Sequence, residues 1–202
     1  ILIIGLGMIG ASLALASKSK GIKVFGYDSN DSTVELAKKE NFVDESFNSL
    51  EEINNKNISD NIDLVIVCVP PRQTQEIFNN IHELWNTSLT ITDTSSVKNH
   101  LKINNVDNII LSHPIAGSDR SGLSAADGEL YIDKKNVICD PFNAKSSHLN
   151  RLVDFWESAM QMRTSVMTVK DHDLIFAMTS HLPHLVSYAL IDSIRLSSLD
   201  VE

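Results

Sequence analysis

Short apolar runs along the chain alternate with longer stretches whose apolar positions recur at helical spacing. Residues 1–4 are unbroken Ile and Leu, and 23–27, 64–69, 89–92, 109–111, 137–138 and 163–169 are further strand candidates. Stretches reaching residue 20, and at 31–39, 72–85 and 147–160, carry the helical period. Strands apolar at every position are buried on both faces. Interleaved with helices, they predict a parallel sheet covered on both sides. Pro70 and Pro71 stop the strand at 64–69, and the Asn-rich 54–61 stretch predicts a surface loop.

Residues 171–199 have another character. They read as one long helix that is apolar around much of its circumference, through Leu174, Met178, Leu182, Leu185, Val186 and Leu190 among others. Such a helix must be covered by other helices or by a second subunit. The expectation is therefore a helical second domain that is truncated at the end of the chain, or a helix that pairs in a dimer. Pro183 should open the helix locally.

Charge and cysteines narrow the function. The 26 acidic residues outnumber the 17 basic ones, for a net charge of −9. That opposes a nucleic-acid-binding face. Cys68 and Cys139 are the two cysteines, in or beside apolar runs. They read as free thiols and fit a cytoplasmic protein rather than a disulfide scaffold. No uninterrupted apolar run approaches the ~20 residues of a membrane span, so no membrane partner is expected.

The first strand runs into Gly5-Leu6-Gly7-Met8-Ile9-Gly10, and the second ends on Asp28. A glycine loop between strand and helix, with an acidic residue roughly 20 positions later, is a dinucleotide-binding pattern. Gly5 permits the turn, Gly7 lets a pyrophosphate approach the backbone, and Gly10 lets helix and strand pack closely. Met8 and Ile9 fall at the helix N-terminus, where free N–H groups and the dipole favour an anion. Asp28 would accept from the ribose hydroxyls of NAD and repel the 2′-phosphate of NADP. No arginine follows it at Ser29 or Asn30. Val69 and Pro70, beyond another strand end, either line the nicotinamide side of the cleft or simply end the strand. The fold class is thus α/β: a doubly wound Rossmann-type nucleotide-binding domain at 1–169, followed at 170–202 by the start of an all-helical dimerisation domain.

Two polar clusters lie beyond successive strand ends: Asp93-Thr94-Ser95-Ser96-Val97-Lys98, and His113-Pro114-Ile115-Ala116-Gly117 with Ser121-Gly122. Both should face the same cleft. A third cluster, Ser180-His181-Leu182-Pro183-His184, sits in the long helix. Two histidines without further ligands do not make a metal site, so none is expected.

Together with the glycine loop and Asp171-His172-Asp173, these stretches resemble the prephenate/arogenate dehydrogenase family of tyrosine biosynthesis, in the same order and nearly end to end. The resemblance implies oxidative decarboxylation of prephenate or arogenate with hydride transfer to NAD, in a homodimer formed by the helical domains. It implies that His113 is the catalytic histidine on the ring hydroxyl and that Ser96 contacts both. Ser180 and His184 then stand on the substrate side. The family's carboxylate-binding arginine is expected beyond the end of this chain, since Arg195 does not lie in that motif. A hydride leaving the hydroxyl-bearing carbon needs that hydroxyl to lose its proton, which a neutral histidine can accept. Two other readings stay open: a 3-hydroxyacid-type NAD dehydrogenase, and a nucleotide-binding module without catalysis.

Overall fold

The computed structural model describes residues 1–55, 61–84, 87–103, 106–139 and 143–196. Five parallel strands form the main sheet: β1 (Leu2–Ile4), β2 (Phe25–Tyr27), β3 (Glu45–Ser46), β4 (Leu64–Val67) and β5 (Thr90–Asp93), in the order β3-β2-β1-β4-β5. The chain moves outward from β1 to β3, then crosses back to β4 on the other side. The switch point therefore lies between β1 and β4, where open α/β sheets bind ligands beyond the strand ends.

The unbroken apolar pattern has its expected cause. Leu2, Ile4, Val65 and Val67 enter one core, with Ile53 of α3 (Leu50–Asn55) and Phe78 of α4 (Pro71–Asn80). Ile3, Leu64 and Ile66 point the other way, toward Ala11, Leu13 and Ala14 of α1 (Met8–Ser19) and the large ring of Trp156. The alternation along each strand thus divides its apolar residues between two cores rather than between core and water. Helix α2 (Asp31–Lys39) is capped by Asn30, whose side chain accepts from the Ser32 and Thr33 amides.

A second sheet corrects the expectation of one parallel sheet. Strands β6 (Leu111–Ile115), β7 (Lys135–Cys139) and β8 (Arg163–Met167) pair in that order, with β6 and β7 antiparallel. No α-helix crosses between β6 and β7, only a 3₁₀ turn at Leu123–Ala125. A connection without a crossover helix suits antiparallel pairing. The small sheet joins β5 through a bridge between Ile91 and Ile109.

Other boundaries shift. Helix α4 ends at Asn80 and a 3₁₀ turn follows at His82–Leu84. Helix α5 (Ser146–Asp154) passes into a π turn, Phe155–Ala159. The short β3 has one exposed residue and lacks the apolar run that marks the others. The 54–61 loop falls mostly outside the described residues.

The long helix comprises α6 (Val169–Phe176), a π turn (Ala177–His181) and α7 (Leu182–Leu196). It begins two residues earlier than the periodicity indicates, because the Thr168 side chain caps it by accepting from the Asp171 amide. The expected division after residue 169 falls one residue inside it. The π turn precedes Pro183, which has no N–H to offer; the Leu182 amide instead reaches back to the Ala177 carbonyl. Along α7 the apolar side chains are exposed, Leu185 at 65% and Tyr188 at 69%. By length and composition alone, Val169–Leu196 is also sufficient to cross a membrane. Counting uninterrupted apolar residues missed this, because serines and histidines are interspersed.

Candidate functional site

The glycine loop takes the form its sequence requires. Gly5 has φ +98°, and a Cβ there would come within 2.7 Å of the Cys68 carbonyl oxygen. A Cβ on Gly10 would fall on the Gly5 carbonyl oxygen, whereas one on Gly7 would meet nothing within 4 Å. Gly10 is therefore packed and Gly7 open, as a loop that seats a diphosphate needs to be. Gly7 is the N-cap of α1, whose first turn holds no acidic residue to offset the helix's positive end. The Tyr131 hydroxyl donates to the Ile9 carbonyl over 2.7 Å and holds that end in place. Asp28 accepts from the Leu6 amide at 2.7 Å and from the Asn30 amide at 2.9 Å.

Three adjoining cavities run from this loop to the helical half. The first, ≈ 540 Å³, lies between Asp28 and Tyr27 on one side and Val69 and Pro70 on the other. The second, ≈ 450 Å³, shares Gly7, Val69 and Pro70 with it and adds Met8, Ile9, Ser96 and His113. The third, ≈ 490 Å³, shares Ser96 and His113 with the second and is closed by Phe176, Ser180 and His184. Of the residues expected at the site, all but Gly10, which packs behind the loop, line one or more of these cavities. Ser96 flanks His113 but makes no hydrogen bond to it among the described residues.

The partner of His113 is one to which sequence reading assigned no role. His113 Nδ1 lies 2.8 Å from His172 Nε2, and His172 Nδ1 lies 2.7 Å from Asp173 Oδ1. The ring of Phe176 packs edge-on against His113, with centroids 4.8 Å apart. Asp173 in turn accepts from the backbone amides of Lys98 at 3.0 Å and Asn99 at 2.8 Å. A chain of polar groups thus runs from α6 to β6 and is anchored on the loop after β5. Asp171-His172-Asp173 stood out in the sequence only as part of a resemblance; nothing in its spacing pointed to His113, 59 residues earlier.

Electrostatics follow the geometry. Burial, with Lys98, His172 and His181 adding to it and Asp173 opposing, pushes His113 down to about 3. Burial also lowers His172, against its hydrogen bond to Asp173. For Asp173, burial pushes upward, but the hydrogen bonds from Asn99, His172 and Lys98 outweigh it and hold the carboxyl below its ordinary value. Lys98 is wholly buried and lowered by that burial, although its Nζ meets Asp93 at 2.5 Å and the Ser112 carbonyl at 2.6 Å. Among the described residues no group of three or more His, Cys, Asp or Glu could hold a metal ion.

The nucleotide-binding-domain model of prephenate dehydrogenase matches residues 12–163, and that of its dimerization domain matches 168–202. The chain belongs to the prephenate dehydrogenase family. Within this family it is 32% identical to the cyclohexadienyl dehydrogenase of Zymomonas mobilis over 203 residues, covering 95% of this chain and 66% of that protein. It is 28% identical to the prephenate dehydrogenase of Lactococcus lactis over 201 residues, covering 95% of this chain and 52% of that one. The chain thus spans between half and two thirds of these relatives' length. The crystal structure of prephenate dehydrogenase from Aquifex aeolicus in complex with hydroxyphenyl propionate and NAD+ superposes with a TM-score of 0.85 at 29% identity, covering 98% of this chain and 70% of that one.

Proposed function

We propose that the protein oxidises prephenate or arogenate with NAD as hydride acceptor and loss of carbon dioxide, giving 4-hydroxyphenylpyruvate or tyrosine. The observation that carries this reading is the position of His113, at the junction of the dinucleotide cleft and the cavity lined by Ser180 and His184. The open Gly7, the packed Gly10 and Asp28 at the end of β2 fit NAD, and Ser29 and Asn30 provide no cation for a 2′-phosphate. When bound, the nicotinamide supplies a hydride acceptor, which no side chain can replace.

The chain's own residues handle the proton. Burial keeps His113 neutral at physiological pH, so it is available as a base. It takes the proton of the ring hydroxyl as the hydride leaves the carbon bearing it. The carbonyl so formed accepts the electron pair of the carbon–carboxylate bond, carbon dioxide departs, and the ring becomes aromatic. His113 then returns its proton to the phenolic oxygen. Ser96 holds the hydroxyl beside His113, and Ser180 and His184 hold the rest of the substrate. Phe176 keeps water from one face of the histidine.

The exposed apolar face of α7 is read as a homodimer contact, in keeping with the matched dimerization domain. No nucleic acid or membrane enters this reading, and a chain with only two cysteines, Cys68 and Cys139, suits the cytoplasm. The test is NAD reduction by the full-length protein with prephenate and arogenate in parallel, beside a direct NAD titration. Turnover with either substrate supports the reading; NAD binding with neither turned over defeats it.

A further inference from the structure

His113 stands on β6 of the nucleotide-binding half, whereas His172 and Asp173 stand on α6, the first helix of the other half. Their contacts leave one consistent arrangement of hydrogens. An ionised carboxylate only accepts, so His172 Nδ1 carries the hydrogen that faces Asp173 Oδ1, 2.7 Å away. A neutral His172 then presents a lone pair at Nε2. That lone pair faces His113 Nδ1 at 2.8 Å, which must donate. His113 is left with its own lone pair at Nε2.

We infer that His172 and Asp173 are positioning residues that fix His113 in the form protonated at Nδ1, so that Nε2 is the proton acceptor, and that they do so only when the two halves are docked. The inference rests on His113 being the base of the proposed reaction. The docking part comes from Asp173: besides His172, its partners are the Lys98 and Asn99 amides of the nucleotide-binding half. The same carboxylate that orients the histidine pair also joins the helix to the loop after β5. When His113 takes up a proton, the chain passes part of the positive charge toward Asp173. The charged or titratable groups acting on His113 are Lys98, His172, His181 and Asp173. Of these, Lys98 is engaged by Asp93, which leaves Asp173 to oppose the desolvation of the imidazolium.

The direct test is long-range proton–nitrogen NMR of the histidine rings in ¹⁵N-labelled full-length protein near pH 7, with assignments from His113→Gln and His172→Gln. Both rings are expected to be protonated at Nδ1. His113 protonated at Nε2 in the parent protein would overturn the inference, whatever the activity of any variant. Asp173→Asn supplies the second arm. One end of an amide donates, so it cannot accept from His172, Lys98 and Asn99 together. His113 is expected to shift toward the Nε2-protonated form and kcat to fall by about 10²-fold or more, the scale of general-base catalysis, while KM changes by less than about threefold. An Asp173→Asn protein with unchanged tautomer and kcat would also overturn it. Failure of the underlying reading looks different: the ring signals would be as expected, yet His113→Asn would retain turnover.

Discussion

The Leu6 amide donates to Asp28 Oδ2 over 2.7 Å, so the carboxylate that would read the ribose also holds the glycine loop in shape. Removing it by Asp28→Ala disturbs both roles at once. Asp28→Asn separates them: the amide oxygen can still accept from Leu6, only the exposed bond from the Asn30 amide is given up, and the charge that repels a 2′-phosphate is gone. The expected result is a melting temperature within a few degrees of the parent and an NAD-to-NADP affinity ratio reduced by about tenfold, the scale of one charge-assisted contact. Calorimetric titration with both nucleotides measures it, and an unchanged ratio contradicts the ribose role.

Two glycines of the same loop should respond in opposite ways. Gly10→Ala drives a methyl group into the Gly5 carbonyl oxygen, where neither backbone segment can yield. A loss of about 3 kcal/mol or more is expected, the upper range for overpacking, seen in denaturant unfolding. Gly7→Ala meets empty space and should fold normally. Its methyl projects into the cleft, so NAD affinity should drop by about tenfold or more with stability unchanged within ~0.5 kcal/mol.

Acid should destabilise the protein through His113. Its folded value, about 3, lies below the ordinary 6.5, so the unfolded chain binds the proton more readily. Stability from this group is complete above about pH 6.5 and declines as pH falls toward 3. His113→Asn should flatten that slope while abolishing turnover and leaving NAD affinity within about twofold. Chemical denaturation at several pH values between 3 and 7 reads the slope. A slope unchanged in the variant would assign it to the other groups lowered in the fold, His148 and His172 together with the carboxyls of Asp44, Asp107 and Asp173.

The exposed face of α7 predicts association. Leu185 and Tyr188 are each about two-thirds exposed, with Val186, Leu190 and Ile191 beside them. Light scattering should give twice the chain mass, and Leu185→Glu should shift the equilibrium toward monomer by about 10-fold or more, the cost of placing a charge in an apolar contact. A monodisperse monomer for the parent protein at high concentration would contradict the dimer.

The main sheet was legible because β1 and β4 carry continuous apolar runs, and the nucleotide loop because Gly5 and Gly10 each meet a steric demand while Gly7 leaves the cleft open. The antiparallel β6–β7 pair was not: apolar runs state burial, not direction, and the intervening 3₁₀ turn resembles any polar loop. The residues expected at the site line three adjoining cavities, apart from Gly10, which packs behind the loop. The histidine–aspartate chain behind His113 escaped because hydrogen bonding between distant segments leaves no period in a sequence. Asp173 looked like an ordinary acidic residue in the first turns of a helix.

The π turn at Ala177–His181 holds one residue more than an α-helical turn. Each residue advances a helix by about 100°, so that extra position sets the angular phase of everything downstream relative to α6. Asp173 is clamped to the loop after β5, and α7 inherits its heading from that clamp through the widened turn. Deleting a single residue between 177 and 181 would leave His172 where it is and swing His184 and the apolar stripe of α7 together by roughly a quarter-turn or more. The cleft and the association surface are thus indexed to one another, and a change of length here would misalign both in a way that no substitution of a single side chain could.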